Sequence, residues 1–370
     1  MSSDRQAQPE AHAPLGPPQL SVGALGWMRA NLFNSWYNAI LTVAASWLIL
    51  VAGWNFFRWS LLDAAFGLTP DTCKGIDGAC WSFIADMWPL FIVGTYPFEE
   101  RWRPYLCLIV LGIMTLGLFF GAVRGNKIYR YAWAIAPVVV FLVIRGVPVF
   151  GLETVDTSFW GGLVLTLILS IVGIVVSFPI GILLALGRRS TSMPIVKALC
   201  VGYIELIRGV PLITVLFMAS VMLPLFFPSG FDLDKVLRAQ IGIIMFAAAY
   251  VAEVVRGGLQ AIPRGQQEAA ASLGLNFWQQ MVLVIMPQAL RIVIPPLVNT
   301  AIALFKDTSL VTIIGLFDLL AIASLASANP DWLGKIIEAY VFTAAIYWIF
   351  CFGMSRYSMY LEQRFKSGQT

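Results

Sequence analysis

Charged and metal-binding side chains are scarce in this 370-residue sequence. Only 12% of the residues are charged, and the single histidine, His12, lies close to the amino terminus. A soluble domain carries about 25% charged residues, so the composition excludes a soluble globular protein, a disordered chain and a nucleic-acid-binding protein. With no histidine in the apolar body and no zinc-like spacing among the five cysteines, we expect no catalytic residues and no metal site.

Apolar residues dominate instead. They make up 59% of the chain, and the mean hydropathy is +0.80. A helix that crosses a bilayer needs about 20 mostly apolar residues, and its backbone groups must bond to one another. The sequence therefore predicts an all-α, polytopic membrane protein with about eight transmembrane helices. The predicted spans lie near residues 36–57, 105–123, 131–150, 158–187, 197–226, 238–256, 285–305 and 336–357.

The placement of Lys and Arg predicts the orientation of these spans. With the amino terminus in the cytoplasm, the cytoplasmic segments carry thirteen cations and four acids, whereas the outside segments carry eight cations and fourteen acids. We therefore expect both termini in the cytoplasm, with residues 1–30 forming a disordered tail. The first apolar run begins too late for a cleavable signal peptide.

Two cysteines, Cys73 and Cys80, fall in the first outside loop. A small disulfide-closed loop is expected if this loop faces an oxidising periplasm. Two unpaired thiols are the alternative.

Charged residues within the apolar body form two pairs of equal spacing. Glu205 and Arg208 lie near the inner end of the fifth span, and Glu253 and Arg256 lie at the inner end of the sixth. Residues three apart share one helix face and can pair, and charges at membrane depth must be paired or wet. We expect Glu205 and Arg208 to face the bundle or an aqueous cavity, and Glu253 and Arg256 to form a structural ion pair. Anchoring at the cytoplasmic interface is the alternative for both pairs.

The cytoplasmic loop between the sixth and seventh spans is about 25 residues long, far longer than a connector needs. Its residues 266–273 are rich in helix formers, and Gly274 suits the left-handed position that ends a helix. A short projecting helix with small side chains at Ala269, Ala270 and Ala271 would fit a groove on another protein, with Glu268 as a charged contact. A helix lying on the membrane surface is the alternative, but it would carry a Lys- and Arg-rich polar face.

This loop resembles the EAA signature of the membrane subunits of ABC-type importers. Glu268-Ala-Ala is followed after three residues by Gly274, and after nine more by Val284-Ile-Met286-Pro287. Val284 and Met286 depart mildly from the Ile and Leu that the family prefers. The flanking motifs are similar to the polar-amino-acid (histidine/glutamine-type) permease branch: residues 205–211, 250–265, 288–296 and 306–310.

The resemblance covers roughly residues 157–365 and implies a fold. It implies a MetI-like, five-helix type I importer core over 157–365, with a coupling helix near 264–281. Residues 31–150 would be an N-terminal three-helix extension with a periplasmic loop, similar to the larger permease of general L-amino-acid uptake systems. The expected location is a bacterial inner membrane.

The resemblance also implies roles for individual residues. Coupling to the ATPase would rest on Arg264, Gln266, Glu268, Ala269, Ala270 and Gly274. Substrate can contact the core helices in this branch, and the candidates for the translocation path are Glu205, Arg208, Asn299, Lys306, Asp307 and Thr308.

The implied function is that of a transporter subunit, not an enzyme. The chain would be the permease of an importer that moves L-amino acids, delivered by a periplasmic binding protein, across the membrane. The other expected partners are a second permease subunit in a heterodimer and two copies of a cytoplasmic ABC ATPase. No phosphate-binding GxxxxGK[ST] loop occurs in the sequence, so ATP and Mg²⁺ would bind the ATPase and no cofactor is expected on this chain.

An ion-coupled carrier and a membrane-embedded enzyme are the two alternative classes of protein. An ion-coupled carrier often shows internal repeats, and the two halves of this chain show no clear similarity. A membrane-embedded enzyme would need convergent nucleophile, base or metal ligands, and its motifs are missing. An ATPase and a binding protein encoded beside this chain would decide for the importer.

Overall fold

The computed structural model describes residues 23–67, 73, 75–117, 120, 125–190, 192–228 and 233–367. It divides the chain into two compact units, of which one comprises residues 1–66 and 73–80 and the other residues 67–72 and 81–370. Most of the predicted 1–30 tail lies outside the described residues.

The first unit is built around one apolar helix. A short helix α1 (Ala24–Asn31) precedes α2 (Trp36–Phe57), which continues as a π-helical turn over Arg58–Leu62. Helix α2 contains no charged residue and buries none of its side chains, as expected where the solvent is lipid. It coincides with the first predicted span.

A disulfide loop is tied to the end of α2 within the same unit. Cys73 and Cys80 are joined in a disulfide with their Cα atoms 5.7 Å apart. The backbone N–H of Ala79 donates to the carbonyl of Trp59 at 2.8 Å, and that of Ala65 donates to Ala79 at 2.8 Å. Arg58 and Asp63 form an ion pair of 2.8 Å at the same turn.

The second unit is a bundle of helices with several short 3₁₀ turns and, within the described residues, a single two-residue strand, Phe317–Asp318. A six-residue π-helical turn, Gln280–Ile285, joins the short helix Phe277–Gln279 to the helix Met286–Asp307, and this helical segment continues without a break to Ile314. The helices of this unit are α3 (Trp81–Val93), α4 (Trp102–Gly117), α5 (Lys127–Arg145), α6 (Gly162–Arg189), α7 (Pro194–Gly209), α8 (Leu212–Val221), α9 (Lys235–Ala261), α10 (Arg264–Ser272), α11 (Phe277–Gln279), α12 (Met286–Asp307), α13 (Leu319–Ser327) and α14 (Ile336–Ser367).

The described helices agree with a polytopic all-α fold. Five are long and apolar enough to cross a membrane, and two bent pairs raise the number to seven. The span predicted at 105–123 is described as α4 up to Gly117. The span predicted at 197–226 is broken between α7 and α8, which meet at 107°. Pro211 causes this break, because it lacks an N–H and holds Val210 in an extended conformation.

Helix α3 was not expected. The sequence predicts no span over these residues and leaves them in the periplasmic loop of the N-terminal extension, whereas the structure shows a helix packed against α6, α13 and α14. Phe91 is fully buried against Phe342, with ring centroids 5.1 Å apart, and Phe83 lies 5.8 Å from Trp332. The indole N–H of Trp332 donates to Asp86 at 2.9 Å. At thirteen residues α3 is too short to span a bilayer, and it buries one face, which includes Phe83 and Phe91, against the bundle.

Close packing of α6 on α9 forms the centre of the unit. A Cβ at Gly181 would lie 2.5 Å from a methyl carbon of Val251, and a Cβ at Gly173 would lie 2.8 Å from Ile243. The facing residues Ala247–Ala249 and Ala252 are buried. Small side chains allow two membrane helices to approach this closely, so that van der Waals contact can hold them together.

The end of the bundle where α6 begins is fixed by buried polar contacts. Gly161 and Gly162 pair with Phe317 and Asp318. Asp318 is fully buried and caps α13 by accepting hydrogen bonds from two backbone N–H groups. Burial raises the pKa of the Asp318 carboxyl, and the hydroxyls of Thr312 and Tyr347 donate to it at 3.1 and 3.2 Å.

Candidate functional site at the opposite end of the bundle

A charge network joins three helices at the end of the bundle where α6 and α9 finish. It consists of Arg188 on α6, Glu205 and Arg208 on α7, and Glu253 and Arg256 on α9. Glu253 is its centre: its carboxylate lies 3.3 Å from Arg188 and 3.4 Å from Arg208, and accepts a hydrogen bond from Arg256 Nε at 2.7 Å. With 18% of its side chain exposed, Glu253 depends on these partners.

The two predicted pairs behave differently. Glu253 and Arg256 pair within α9. Glu205 and Arg208 share a helix but bind different partners, because Arg188 lies 2.9 Å from Glu205 and Arg208 turns to Glu253. The guanidinium of Arg208 also lies 5.7 Å from the centre of the Tyr250 ring, a favourable cation–π distance.

Helix α10 follows the network after the short break at Ile262 and Pro263. It ends as the sequence suggested: Gly274 has φ +75°, its N–H donates to Ala271 at 2.9 Å, and the N–H of Leu275 donates to Ala270 at 3.3 Å. These two bonds with a left-handed glycine form the Schellman motif. The helix covers Arg264–Ser272, so the predicted coupling segment 264–281 also includes the turn and α11.

The exposed and buried faces of α10 are distinct. Ala270 is 2% exposed and faces the chain, where α10 packs on the π-helical turn before α12. Gln288 on α12 donates to the side chain of Gln266 at 3.1 Å. Arg264, Glu268 and Ala269 are exposed. Of the three small side chains predicted to enter a groove, Ala270 therefore anchors the helix to its own chain, while Ala269 and Ala271 are exposed.

The sequence did not single out two residues, Arg188 and Leu273, that lie at this end of the bundle. Arg188 contacts both glutamates of the network, yet the sequence shows it only as one of several cations at the end of a span. Leu273, which is 80% exposed at the tip of α10, offers an apolar contact beside Ala269. Leu273 could have been recognised, because it is an apolar residue directly before the glycine that ends the helix. No local pattern in the sequence indicates that Arg188 pairs with a residue 65 positions away.

The remaining path candidates lie on and just beyond α12. Asn299 and Lys306 are exposed and seven residues apart, so they share one helix face. The same uncovered stripe includes Pro296 and Ala303. Asp307 is half-buried. Thr308 is 1% exposed and donates to the carbonyl of Phe305 at 2.8 Å, so it holds the helix end.

The path candidates therefore form two groups. Glu205 and Arg208 belong to the charge network, and within the described part of the chain no hydrogen bond or ion pair joins them to the α12 group. A mostly apolar cavity of about 290 Å³ lies between α6, α9 and α12, with Ser177 and Thr300 as its hydroxyl-bearing walls.

Residues 177–367, which include α10 and the charge network, match a family model described as "binding-protein-dependent transport system inner membrane component". The chain belongs to this family. It is 52% identical over 362 residues to the inner membrane amino-acid ABC transporter permease protein YhdY of Escherichia coli (strain K12), with 97% of this chain and 98% of that protein covered.

A second relative agrees. The chain is 38% identical over 435 aligned residues to the glutamate/glutamine/aspartate/asparagine transport system permease protein BztC of Rhodobacter capsulatus, with 99% of each covered. A solved structure of an amino acid ABC transporter with histidines is 32% identical, covers 55% of this chain and 92% of that chain, and has a TM-score of 0.49. The resemblance to ABC-importer permeases is confirmed, and this permease is a multi-pass inner-membrane protein.

Proposed function

We propose that the chain is the transmembrane permease of an ATP-driven importer for L-amino acids delivered by a periplasmic binding protein. The observation that carries this proposal is the 52% identity, over nearly the whole of both chains, to an amino-acid ABC transporter permease. The geometry of α10 supports it, because a short exposed helix with a small outer residue fits a groove on a partner protein.

The orientation follows from the charge distribution. The network, α10 and both termini face the cytoplasm, and the end that carries Asp318 faces the periplasm. This orientation is supported by the arginines at the ends of α6 and α9 and at the start of α10, which lie together at one end of the bundle. The charge distribution of the sequence also assigns the first loop, with Cys73 and Cys80, to the oxidising periplasm.

Helix α10 passes motion to the membrane path. Its buried residue Ala270 rests on the π-helical turn that continues into α12, and Gln266 is bonded to Gln288 on α12. A force on α10 therefore reaches the helix that carries Asn299 and Lys306. Glu268 and Ala269 form the outer contact with the ATPase, whereas Arg264 lies on the side of α10 that faces the ends of α6 and α9.

The partners follow from this arrangement. Two cytoplasmic ATPase subunits bind ATP and Mg²⁺, and one of them receives α10. A second permease covers the exposed stripe of α12, so that the translocation path runs between the two permeases. A heterodimer is proposed because the N-terminal extension resembles that of the larger of the two permeases in general L-amino-acid uptake systems.

Co-purification tests the proposal. The tagged full-length chain is extracted from its native membrane in mild detergent, and its partners are identified by mass spectrometry. We expect a second permease and an ABC ATPase whose hydrolysis rises on addition of a binding protein loaded with an amino acid. A chain that purifies without any ATPase and transports with a proton or sodium gradient alone would overturn the proposal.

A further inference from the structure

A cleft lined by four arginines lies beside the charge network. It has a volume of about 500 Å³ and is bounded by the ends of α6 and α9 and by α10. We name it the arginine cleft; its walls are Ala185, Arg188, Arg189, Arg256, Leu259, Gln260, Ile262, Arg264 and Gln267. Its volume falls in the range of small-molecule sites, about 300–1,000 Å³.

The cleft carries more positive charge than its own chain neutralises. Arg188 and Arg256 bind the glutamates of the network. Within the described residues, Arg189 and Arg264 have no carboxylate partner, and both are exposed. Together with Arg208, five arginines face two glutamates, which leaves a net charge of +3. Guanidinium groups in such an arrangement suit the oxygens of a phosphate group.

We infer that the arginine cleft binds the phosphate of an anionic phospholipid headgroup. The cleft lies at the ends of two membrane-spanning helices, which is the depth of the headgroups. Its other walls are the buried apolar residues Ala185, Leu259 and Ile262 and the amide side chains of Gln260 and Gln267. Basic pockets between transmembrane helices on the cytoplasmic side bind anionic lipid headgroups.

Interfacial anchoring alone does not account for this arrangement. Long basic side chains at helix ends extend to the membrane surface one at a time. Here Arg189 at the end of α6 and Arg264 at the start of α10 come from segments 75 positions apart and line one cavity. Because Arg264 belongs to α10, a lipid bound in the cleft would bridge a spanning helix and the proposed coupling helix.

Lipid binding to the full-length chain in detergent tests this inference. Apparent affinities are measured by native mass spectrometry for dioctanoyl-phosphatidylglycerol and dioctanoyl-phosphatidylcholine. Wild type is expected to prefer the anionic lipid, and Arg189→Gln/Arg264→Gln to lower its affinity about tenfold or more, with no change for the zwitterionic lipid. Arg189→Lys/Arg264→Lys, which keeps the charge, is expected to retain most of the affinity.

The matched control is Arg291→Gln, which removes an exposed arginine of α12 that does not line the cleft. It is expected to bind phosphatidylglycerol like wild type. Equal loss in the control and the double variant, or no loss in the double variant, would overturn the inference. Displacement of the lipid by inorganic phosphate at equal concentration would assign the cleft to a free anion and overturn the lipid assignment.

Discussion

Arg188, in the last turn of α6, lies 3.3 Å from the carboxylate of Glu253 on α9. The two residues are 65 positions apart in the chain, and their contact fastens two spanning helices to each other at the end from which α10 projects. The contact gives α10 a fixed base, because α9 leads into α10 after a break of two residues.

Glu253→Gln is expected to destabilise the protein by about 2 kcal/mol or more, since it leaves three arginines without their shared carboxylate. The change is read as a fall in thermal unfolding temperature in detergent. Glu268→Gln removes the same charge from an exposed residue of α10 that has no ion pair among the described residues, and its effect on stability is expected to stay within about 0.5 kcal/mol. Equal shifts for the two variants would mean that Glu253 does not hold the network.

Gly274→Val is expected to misdirect the end of α10. A Cβ at Gly274 would meet no atom within 4 Å, so the effect comes from the backbone: φ +75° costs a side chain about 1 kcal/mol or more. We expect the complex to assemble and ATP hydrolysis to lose most of its stimulation by loaded binding protein. Gly265→Val is the control, since Gly265 is also exposed with open space around it but has no left-handed φ. Unchanged stimulation in Gly274→Val would argue against the role of this turn.

Ala269→Trp is expected to block docking of the ATPase because the side chain lies on the exposed face of α10. Ala198→Trp, at an exposed position of α7, is the control for adding a large side chain. Folding of both variants should be unchanged by circular dichroism. Only Ala269→Trp should lose the ATPase on size-exclusion chromatography or lose stimulated hydrolysis. If Ala269→Trp keeps both the bound ATPase and the stimulated hydrolysis, the docking surface lies elsewhere.

Phe91→Ala is expected to lower stability by about 3–5 kcal/mol, because Phe91 is fully buried between α3 and α14. Phe98→Ala is the control: Phe98 is 79% exposed, and its loss should cost about 0.5 kcal/mol or less. The comparison uses thermal unfolding in one detergent. If both variants unfold at the wild-type temperature, α3 is not part of the core.

Local chemistry decided which features could be predicted from the sequence. Gly274 and the EAA residues before it define a helix and its end within ten residues, so α10 was expected and is present. The bend at Pro211 is equally local, although its angle depends on what α8 packs against.

Features that depend on distant packing could not be predicted. Helix α3 is too short to be recognised as a span, and its place among α6, α13 and α14 is set by aromatic partners such as Trp332 and Phe342, about 250 residues further along the chain. The partner of Arg208 is likewise decided by the crossing of α7 and α9, which turns it toward Glu253 instead of Glu205.

Uptake of a labelled amino acid into proteoliposomes tests the central claim most directly. The vesicles contain the co-purified complex, with loaded binding protein outside and ATP inside. The account predicts uptake that requires both the binding protein and hydrolysable ATP and that falls to background in Ala269→Trp but not in Ala198→Trp. Uptake that proceeds without ATP, or that Ala269→Trp leaves unchanged, would contradict it.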